Sequence, residues 1–272
     1  MTTPRILLFD SGMGGLTVAR AVAAQMPEAH LTYSADNAAF PYGAWKEDAL
    51  TKRIVEVVGR LIERADPHIV VVACNTASTI ALAALRAAYK VPFVGTVPAI
   101  KPAAAQTKSG IIGVLATPGT VSREYTHALI HTYASHCKVY LHGAGRMAEI
   151  AENKLKGHAV DLEELRNEIE PAFRKHGDKA TDVVVLGCTH YPLLLDELRM
   201  VEPWPVTYID PAPAIARRVA DVLDETPRHE TSRAVPPHGT VILTSARGSA
   251  AGSLGAYAAM GFNIPEFLEM PV

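Results

Sequence analysis

The sequence predicts an α/β protein of two pseudo-symmetric lobes, each a mainly parallel sheet flanked by helices, with the functional site in the cleft between the lobes. Short, continuously apolar segments alternate with helical segments along the chain, which is typical of parallel strands covered on both faces. Turns that contain Gly or Pro separate the two kinds of segment. In addition, the strand ends of the first half recur in the same order in the second half.

The first half of the chain starts with a buried strand over Arg5–Phe9, a tight turn with the sequence DSGMGG, and a helix over about Leu16–Met26. Alternating apolar residues predict a second strand over His30–Asp36. The segment Lys46–Ala65 has apolar residues on one helical face, which predicts a long amphipathic helix. The runs HIVVVA and VPFVGTV predict two further strands, and TASTIALAALRAAY predicts the helix between them.

The second half repeats the order of strand, turn and helix in the segments SGIIGVLATPGTVSREYTHALIHTY, TDVVVLGCTHYPLLLDEL and VTYIDPAPAIARRVADVL. The run CKVYLHG predicts another strand, which is followed by a helical stretch that ends with Asp161–Gly177. The polar segment Asp224–Gly239 contains prolines and predicts a connecting loop. The tail TVILTSARGSAAGSLGAYAAMGF predicts a last strand and a helix of small residues.

The internal repeat is clearest at two pairs of strand ends. The segments DPHIVVVACNT and ATDVVVLGCTH align Cys74 with Cys188, which are 114 residues apart. The segments ILLFDSGMGG and IGVLATPGTV align Asp10 with Thr117, which are 107 residues apart. Because the carboxyl ends of parallel strands carry the ligand sites of such sheets, we expect each lobe to present one thiol to the cleft.

The length and composition fit two modest lobes. The chain has 272 residues, of which 49% are hydrophobic and 20% charged, the balance of an ordinary globular protein. We expect one lobe to comprise residues 1–97 with 212–272, and the other to comprise residues 98–211. The net charge of −2 argues against a general nucleic-acid-binding surface.

The sequence also suggests where the protein works. The start MTTPRILLFD lacks the pattern of a signal peptide, and no apolar run approaches the ~20 residues needed to span a bilayer. We therefore expect a cytoplasmic protein without a membrane partner. Three cysteines in a long chain make a disulfide framework improbable, so reduced thiols are expected.

The thiols of Cys74 and Cys188 are the candidate chemical groups. Each follows an apolar strand and lies just before a predicted helix, whose N-terminus favours a thiolate over a thiol. A single such cysteine is most often a buried apolar residue, but two in matched contexts favour a base or a nucleophile. Cys137 has no counterpart and is interpreted as structural. Hydrogen-bond donors beside the two thiols are Asn75, Thr76, Thr189 and His190.

Two further turns contain candidate binding groups. Asp10 ends the first strand, where its carboxylate could bind an ammonium group, orient a base or cap the following helix. The tripeptide Pro41–Gly43 follows the second strand, and its backbone N–H groups could hold an anion. Zinc binding by Cys74, Cys188 and His190 is an alternative, but the C-x-H spacing is poor for a structural site and a fourth ligand is not evident.

Five motifs together resemble the aspartate/glutamate racemase superfamily, and within it the glutamate racemases. They are FDSGMGGLTV, PYG, ACNTAS, LATPGTV and GCTHYPLL, which run from Phe9 to Leu194 in the order typical of that family. The segment GTVPAIKPA resembles the family's crossover between lobes. The resemblance implies interconversion of L- and D-glutamate without a cofactor or a metal.

The resemblance also implies roles for particular residues. Cys74 would take the α-proton from D-glutamate and Cys188 would take it from L-glutamate, with Asp10 and His190 as polar assistants of the thiols. Glu152 resembles a further acidic residue of the family's cleft, with a possible accessory role. The implied substrate-binding residues are Asp10, Ser11, Pro41, Tyr42, Gly43, Asn75, Thr76, Thr117, Thr120, Thr189 and His190. Among them, the implied head-group ligands are Ser11, Asn75, Thr76 and Thr189, and the side-chain carboxylate would bind Tyr42 and Gly43.

Two opposed thiols suit this chemistry, because inverting an α-carbon needs a base on one face and an acid on the other. The resemblance further implies glutamate as the small-molecule partner, a homodimer as one assembly known in the family, and supply of D-glutamate for peptidoglycan, cell-wall biogenesis and cell shape. Two alternatives stay open: a racemase of aspartate or a hydantoin, and a two-lobed amino-acid-binding protein without catalysis.

Overall fold

A computed structural model describes residues 3–226, 239–246 and 251–270 of the chain. The chain divides into two compact units, Met1–Thr96 with Ala212–Val272 and Val97–Pro211. Both are mixed α/β units whose main sheets are parallel and accompanied by helices, so the predicted fold class is confirmed. Within the described residues, no helix is both long and apolar enough to cross a membrane.

The described strands are β1 (Arg5–Asp10), β2 (His30–Ala35), β3 (Ile69–Val72), β4 (Phe93–Gly95), β5 (Ile111–Ala116), β6 (Lys138–Gly143), β7 (Lys175–His176), β8 (Lys179–Ala180), β9 (Val183–Gly187), β10 (Thr207–Ile209), β11 (Thr240–Leu243) and β12 (Glu266–Phe267). The described α-helices are α1 (Leu16–Gln25), α2 (Glu47–Ala65), α3 (Asn75–Ala88), α4 (Ile100–Gln106), α5 (Pro118–Val121), α6 (Glu124–Tyr133), α7 (Met147–Leu155), α8 (Leu162–Ile169), α9 (Leu195–Val201), α10 (Ala212–Glu225) and α11 (Ala251–Ala259). Short 3-10 helices cover Tyr42–Ala44, Glu170–Ala172 and Tyr191–Leu194.

The main sheets of the two units share one strand order. Among the described strands, the first unit has the parallel order β12-β11-β2-β1-β3-β4. The second unit has the parallel order β10-β9-β5-β6. The segment β2-β1-β3-β4 therefore corresponds to β6-β5-β9-β10, and the two thiols follow the equivalent strands β3 and β9.

The strand register moves the predicted alignment of the first strand ends by one residue. When β3 is aligned with β9 so that Cys74 matches Cys188, the cross-strand pair Ile6–Ile69 of the first sheet matches the pair Ile112–Val183 of the second. This register makes Thr117 equivalent to Ser11, whereas the sequence comparison aligned it with Asp10. Each unit therefore has a hydroxyl residue directly after its first strand, next to the strand that leads to the thiol.

Apolar side chains fix the positions of these strand ends. Every residue of β1, β3 and β9 is buried. One face of α2 packs on the first sheet through residues that include Leu50, Ile54, Val57 and Leu61. Since each fully buried Val, Leu or Ile side chain contributes about 1.5–3 kcal/mol, the strands form rigid supports for the residues that follow them.

The sequence predicts that the helical stretch continues to Gly177, and this prediction is wrong after Ile169. α8 ends at Ile169, and the chain continues through a 3-10 turn and the antiparallel hairpin of β7 and β8. Pro171 has no backbone N–H to continue the helical hydrogen bonds. Gly177 has a φ of 59° in the hairpin turn, a conformation that glycine adopts without steric cost.

Two differences concern the carboxyl-terminal part. The predicted loop Asp224–Gly239 begins later than expected, because α10 continues to Glu225, and residues 227–238 of it lie outside the described part of the chain. The short strand β12 was not predicted from the sequence. Its two residues pair with β11 at the edge of the sheet, and two residues are too few to show an apolar period.

Candidate functional site

Cys74 lies at the junction of β3 and α3, directly before the first helical residue, Asn75. Its side chain is buried, and its Sγ atom is 3.7 Å from the Oγ atom of Ser11. Ser11 follows β1, which pairs with β3, so the sheet brings the hydroxyl and the thiol together. The positive partial charge at the N-terminus of α3 favours negative charge at this position.

Asp10 orders the turn after β1. Its carboxylate is fully buried, accepts a hydrogen bond of 2.6 Å from the N–H of Ser11, and accepts another from the N–H of Gly15. A Cβ atom on residue 15 would lie 2.8 Å from Oδ2 of Asp10, so only glycine permits this approach. Asp10 therefore holds the backbone that enters α1, and it also fixes Ser11 beside Cys74.

Asn75 has a buried side-chain amide in need of a partner. The residue is 2% exposed, and neither its Nδ2 nor its Oδ1 atom has a hydrogen-bond partner among the described residues. A buried amide without a hydrogen-bond partner costs free energy. A protein that keeps such an amide typically uses it to bind a ligand. Thr76, the next residue along α3, is buried as well.

The turn Pro41–Gly43 divides its groups between the interior and the surface. The Tyr42 side chain is buried, and its hydroxyl donates a 2.7 Å hydrogen bond to Oδ2 of Asp36. Burial, followed by the charge of Asp36, raises the pKa of Tyr42 well above 10.0. Because the hydroxyl is bound to Asp36, a ligand at this turn would meet backbone groups, and Pro41 and Gly43 are exposed.

In the second unit, Cys188 is part of a buried series of three side chains. Its Sγ atom is 3.8 Å from Nδ1 of His190, and Nε2 of His190 is 2.9 Å from Oε1 of Glu152. The exposed fractions of Cys188, His190 and Glu152 are 6%, 2% and 6%. Glu152 comes from α7, so tertiary packing joins it to the turn after β9.

This contact determines the charge state of the imidazole. Burial by itself lowers the pKa of His190, but the hydrogen bonds and charges of Cys188 and Glu152 outweigh it and raise the pKa well above 6.5. The ring therefore favours the imidazolium form, in which both nitrogens donate. An imidazolium beside a thiol stabilises the thiolate and can return a proton to it.

The two thiols lie at different distances from the helices that follow them. We predict from the sequence that each thiol lies just before a helix. α3 begins directly after Cys74, whereas a 3-10 helix begins three residues after Cys188 and leads into α9. The N–H of Tyr191 donates to the carbonyl of Cys188, which closes a tight turn, and α9 starts only at Leu195. The environment of Cys188 thus depends on the side chains of His190 and Glu152 more than on a helix N-terminus.

Thr117, Thr120 and Thr189 lie at the carboxyl end of the second sheet. Ala116 pairs with Gly187, so Thr117 and Cys188 follow paired residues. The hydroxyls of Thr117 and Thr120 are 3.0 Å apart, and Oγ1 of Thr117 accepts a hydrogen bond from the N–H of Thr120. Thr120 and Thr189 are buried.

Cys137, the third cysteine, is not among the contacts of the other two thiols. It is half-buried against the apolar cluster of β5 and α6, and burial, followed by the charge of Asp182, raises its pKa.

The alternative role for Cys74, Cys188 and His190 is zinc binding. In the described ranges, no group of three or more His, Cys, Asp or Glu side chains could hold a metal ion.

The sequence prediction missed a buried ion pair next to the 41–43 turn. Asp36 is fully buried, and its carboxylate is bound by both Nε and Nη2 of Arg53 at 2.7 Å. The signal that could have revealed it is the position of Asp36, which directly follows β2 as Asp10 ends β1. A polar residue at such a strand end is often functional.

The chain is similar to known proteins over most of its length. Residues 16–219 match the profile of the family described as Asp/Glu/Hydantoin racemase. A glutamate racemase of Brucella ovis is 55% identical over 219 residues, or 80% of this chain and 79% of the relative. One of Brucella anthropi is 52% identical over 236 residues, or 85% of each chain.

Solved structures of glutamate racemases are also similar to this chain. The Escherichia coli glutamate racemase, in complex with L-glutamate and the activator UDP-MurNAc-Ala, has a TM-score of 0.91 and 41% identity over 98% of this chain and 99% of that one. The RacE1 isoform of glutamate racemase from Bacillus anthracis has a TM-score of 0.81 and 29% identity over 99% of this chain and 98% of that one. The chain therefore belongs to the Asp/Glu/Hydantoin racemase family and groups with its glutamate racemases, which are amino-acid isomerases.

Proposed function

We propose that the protein interconverts L- and D-glutamate by proton transfer between the α-carbon and two thiols, without a cofactor. The observation that carries this proposal is the equivalent placement of two buried cysteines. Cys74 follows β3 and Cys188 follows β9, which occupy matching positions in the two sheets. A reaction that needs equivalent groups on opposite faces of one carbon accounts for such a repeat.

In the proposed reaction, the thiolate of Cys74 removes the α-proton of D-glutamate, and the thiol of Cys188 donates its proton to the other face. The product is L-glutamate, with Cys74 now protonated and Cys188 a thiolate. The reverse direction exchanges the two roles. The carbanion formed between the two steps needs stabilisation, which hydrogen bonds to the α-carboxylate provide as negative charge develops there.

The remaining candidate residues bind the substrate or tune the thiols. The Asn75 amide, which has no partner among the described residues, supports a role in binding the head group, since a ligand would satisfy both of its atoms. Ser11, Thr76 and Thr189 are further ligands that we propose for the head group, and we propose Thr117 and Thr120 as additional substrate-binding residues. We assign the side-chain carboxylate to the backbone of Pro41–Gly43. Asp10 positions Ser11 beside Cys74, while His190, backed by Glu152, assists Cys188.

The biological role that fits this activity is the supply of D-glutamate to peptidoglycan synthesis in the cytoplasm. Because the relatives of this chain are glutamate racemases, we propose glutamate instead of aspartate or a hydantoin as its substrate.

The test is incubation of the purified protein with L-glutamate in deuterated water, without added metal or pyridoxal phosphate. We expect optical rotation to decay to zero while deuterium enters the α-position, and we expect L-aspartate to react far more slowly. Absence of α-exchange with every acidic amino acid would contradict the proposal and favour a binding protein without catalysis.

A further inference from the structure

The carboxylate of Asp36 is the centre of a buried hydrogen-bond network in the first unit. It accepts hydrogen bonds of 2.7 Å from the Tyr42 hydroxyl, from Nε and Nη2 of Arg53, and from the Thr244 hydroxyl. The side chain of Asp36 is completely buried, and that of Arg53 is 9% exposed. Two parallel hydrogen bonds from one guanidinium are the strongest arrangement for holding a carboxylate.

Arg53 also connects this carboxylate to the end of the chain. Its Nη2 atom donates a 3.0 Å hydrogen bond to the carbonyl of Met270, and its guanidinium lies 5.8 Å from the centre of the Trp45 ring. The N–H of Met270 in turn donates to the carbonyl of Thr244. Arg53 is thereby held in one orientation by contacts on several sides.

The network reaches the 41–43 turn through Tyr42. The Tyr42 ring is buried in the same core as α2, and its hydroxyl is bound to Asp36. The adjacent Gly43 is exposed, and a Cβ atom built on it would meet no atom within 4 Å. The turn therefore combines a side chain fixed from inside with backbone that is open to a ligand.

Besides fixing Tyr42 through Asp36, Arg53 affects the charge near this turn. A buried carboxylate without a partner is costly, and in a medium of low polarity it repels another anion strongly. Arg53 compensates the charge of Asp36 next to the turn to which we assign the substrate's side-chain carboxylate. Without Arg53, the same turn would have an uncompensated negative charge behind it.

We propose that Arg53 is a positioning residue for substrate binding, because through Asp36 it fixes Tyr42 and cancels the negative charge behind the 41–43 turn. This inference rests on the proposed function, which assigns the distal carboxylate of glutamate to that turn. It predicts that Arg53 acts mainly on substrate affinity and leaves the proton-transfer steps at the thiols almost unchanged.

The experiment compares Arg53→Met, Arg53→Lys and the double variant Asp36→Asn/Arg53→Met with wild-type protein. KM and kcat for both glutamate enantiomers are measured, together with glutamate binding by calorimetry. We expect Arg53→Met to raise KM by about tenfold or more, the effect of losing hydrogen bonds to a charged group, with a much smaller change in kcat. Arg53→Lys keeps the charge and loses the paired hydrogen bonds, so its KM should be intermediate.

The double variant removes both charges, and the amide oxygen introduced by Asp36→Asn can still accept a hydrogen bond from Tyr42. Its KM should therefore return toward the wild-type value, and it should remain folded even if Arg53→Met does not, since replacing both members of a buried pair is often tolerated. The matched control is Arg60→Met on the same helix, where Arg60 forms an exposed pair with Glu56; its KM should equal that of wild type.

The outcomes separate the two proposals. Wild-type protein without racemase activity would contradict the proposed function itself. An active wild type, with Arg53→Lys and any folded Arg53→Met both at the wild-type KM and changed only in melting temperature, would overturn the role of Arg53. A double variant whose KM is as high as that of a folded Arg53→Met would refute the part assigned to charge.

Discussion

Nε2 of His190 lies 2.9 Å from Oε1 of Glu152, and both side chains are buried. The other ring nitrogen faces Cys188 at 3.8 Å, so a carboxylate, an imidazole and a thiol follow one another. Cys74 has different surroundings, with the Ser11 hydroxyl and the start of α3 beside it. The two thiols thus occupy equivalent strand ends, and their environments are chemically unlike.

The first prediction concerns Glu152→Gln. The amide removes the negative charge that favours the His190 imidazolium, so we expect kcat/KM to fall by about tenfold or more. The two enantiomers of glutamate are equally stable, and the fall must therefore be equal in both directions. The pH profile should show the ionisation of His190 displaced to lower pH. The control is Glu149→Gln, an exposed carboxylate on the same helix; a loss of similar size there would contradict the role of Glu152.

The second prediction concerns stability and pH. The folded-state pKa of His190 is raised above its ordinary value of 6.5 by Cys188 and Glu152, although burial opposes the shift. The charged ring therefore contributes stability that is complete below the unfolded-state pKa and lost as the pH rises through the folded-state pKa. This contribution is measured as the difference in unfolding free energy between wild type and His190→Gln, from urea unfolding at a series of pH values. The difference in unfolding free energy should shrink from pH 6.5 upward, and a difference that grows with pH would refute the assigned charge state.

The third prediction concerns the cysteines. Replacing Cys74 or Cys188 with Ala removes the acid or base on one face, so we expect racemization to fall by about 1000-fold or more. Cys137→Ala is the matched control, because this thiol is half-buried in an apolar cluster and should leave turnover almost unchanged. Polarimetry from both enantiomers measures each variant, and a Cys74→Ala protein with the native rate would eliminate the two-thiol mechanism.

The fourth prediction concerns Asn75→Ala. The buried amide of Asn75 has no partner among the described residues, so its removal should relieve a desolvation cost of about 1–3 kcal/mol in the free protein. The melting temperature should stay unchanged or rise while KM for glutamate increases.

The comparison for this variant is Asn37→Ala. The Asn37 amide donates to the Ser245 carbonyl at 2.8 Å and accepts from the Ser245 N–H at 3.1 Å, so its loss should lower the melting temperature. If Asn75→Ala destabilised the free protein as much as Asn37→Ala, Asn75 would have a structural role instead of a binding one.

Much of the fold could be predicted from local patterns, because buried parallel strands are continuous apolar runs and their ends are marked by Gly, Pro and polar residues. The motifs also identified Cys74, Cys188 and Asp10 as site candidates. Patterns failed where neighbours along the chain do not determine the outcome. The hairpin after α8 depends on the pairing of β7 with β8. Strand pairing also decides that Ser11, and not Asp10, is the equivalent of Thr117.

The sequence by itself determined the α/β class, the recurrence of similar strand ends in the two halves and the family, since local hydrophobicity and motifs of adjacent residues are sufficient to identify these. Only the tertiary structure decided which groups tune the site. Glu152 reaches His190 across 38 positions, and Arg53 reaches Asp36 across 17. Burial gives these contacts their strength, because charges removed from water interact strongly, and no local pattern shows which distant side chains will share a buried space.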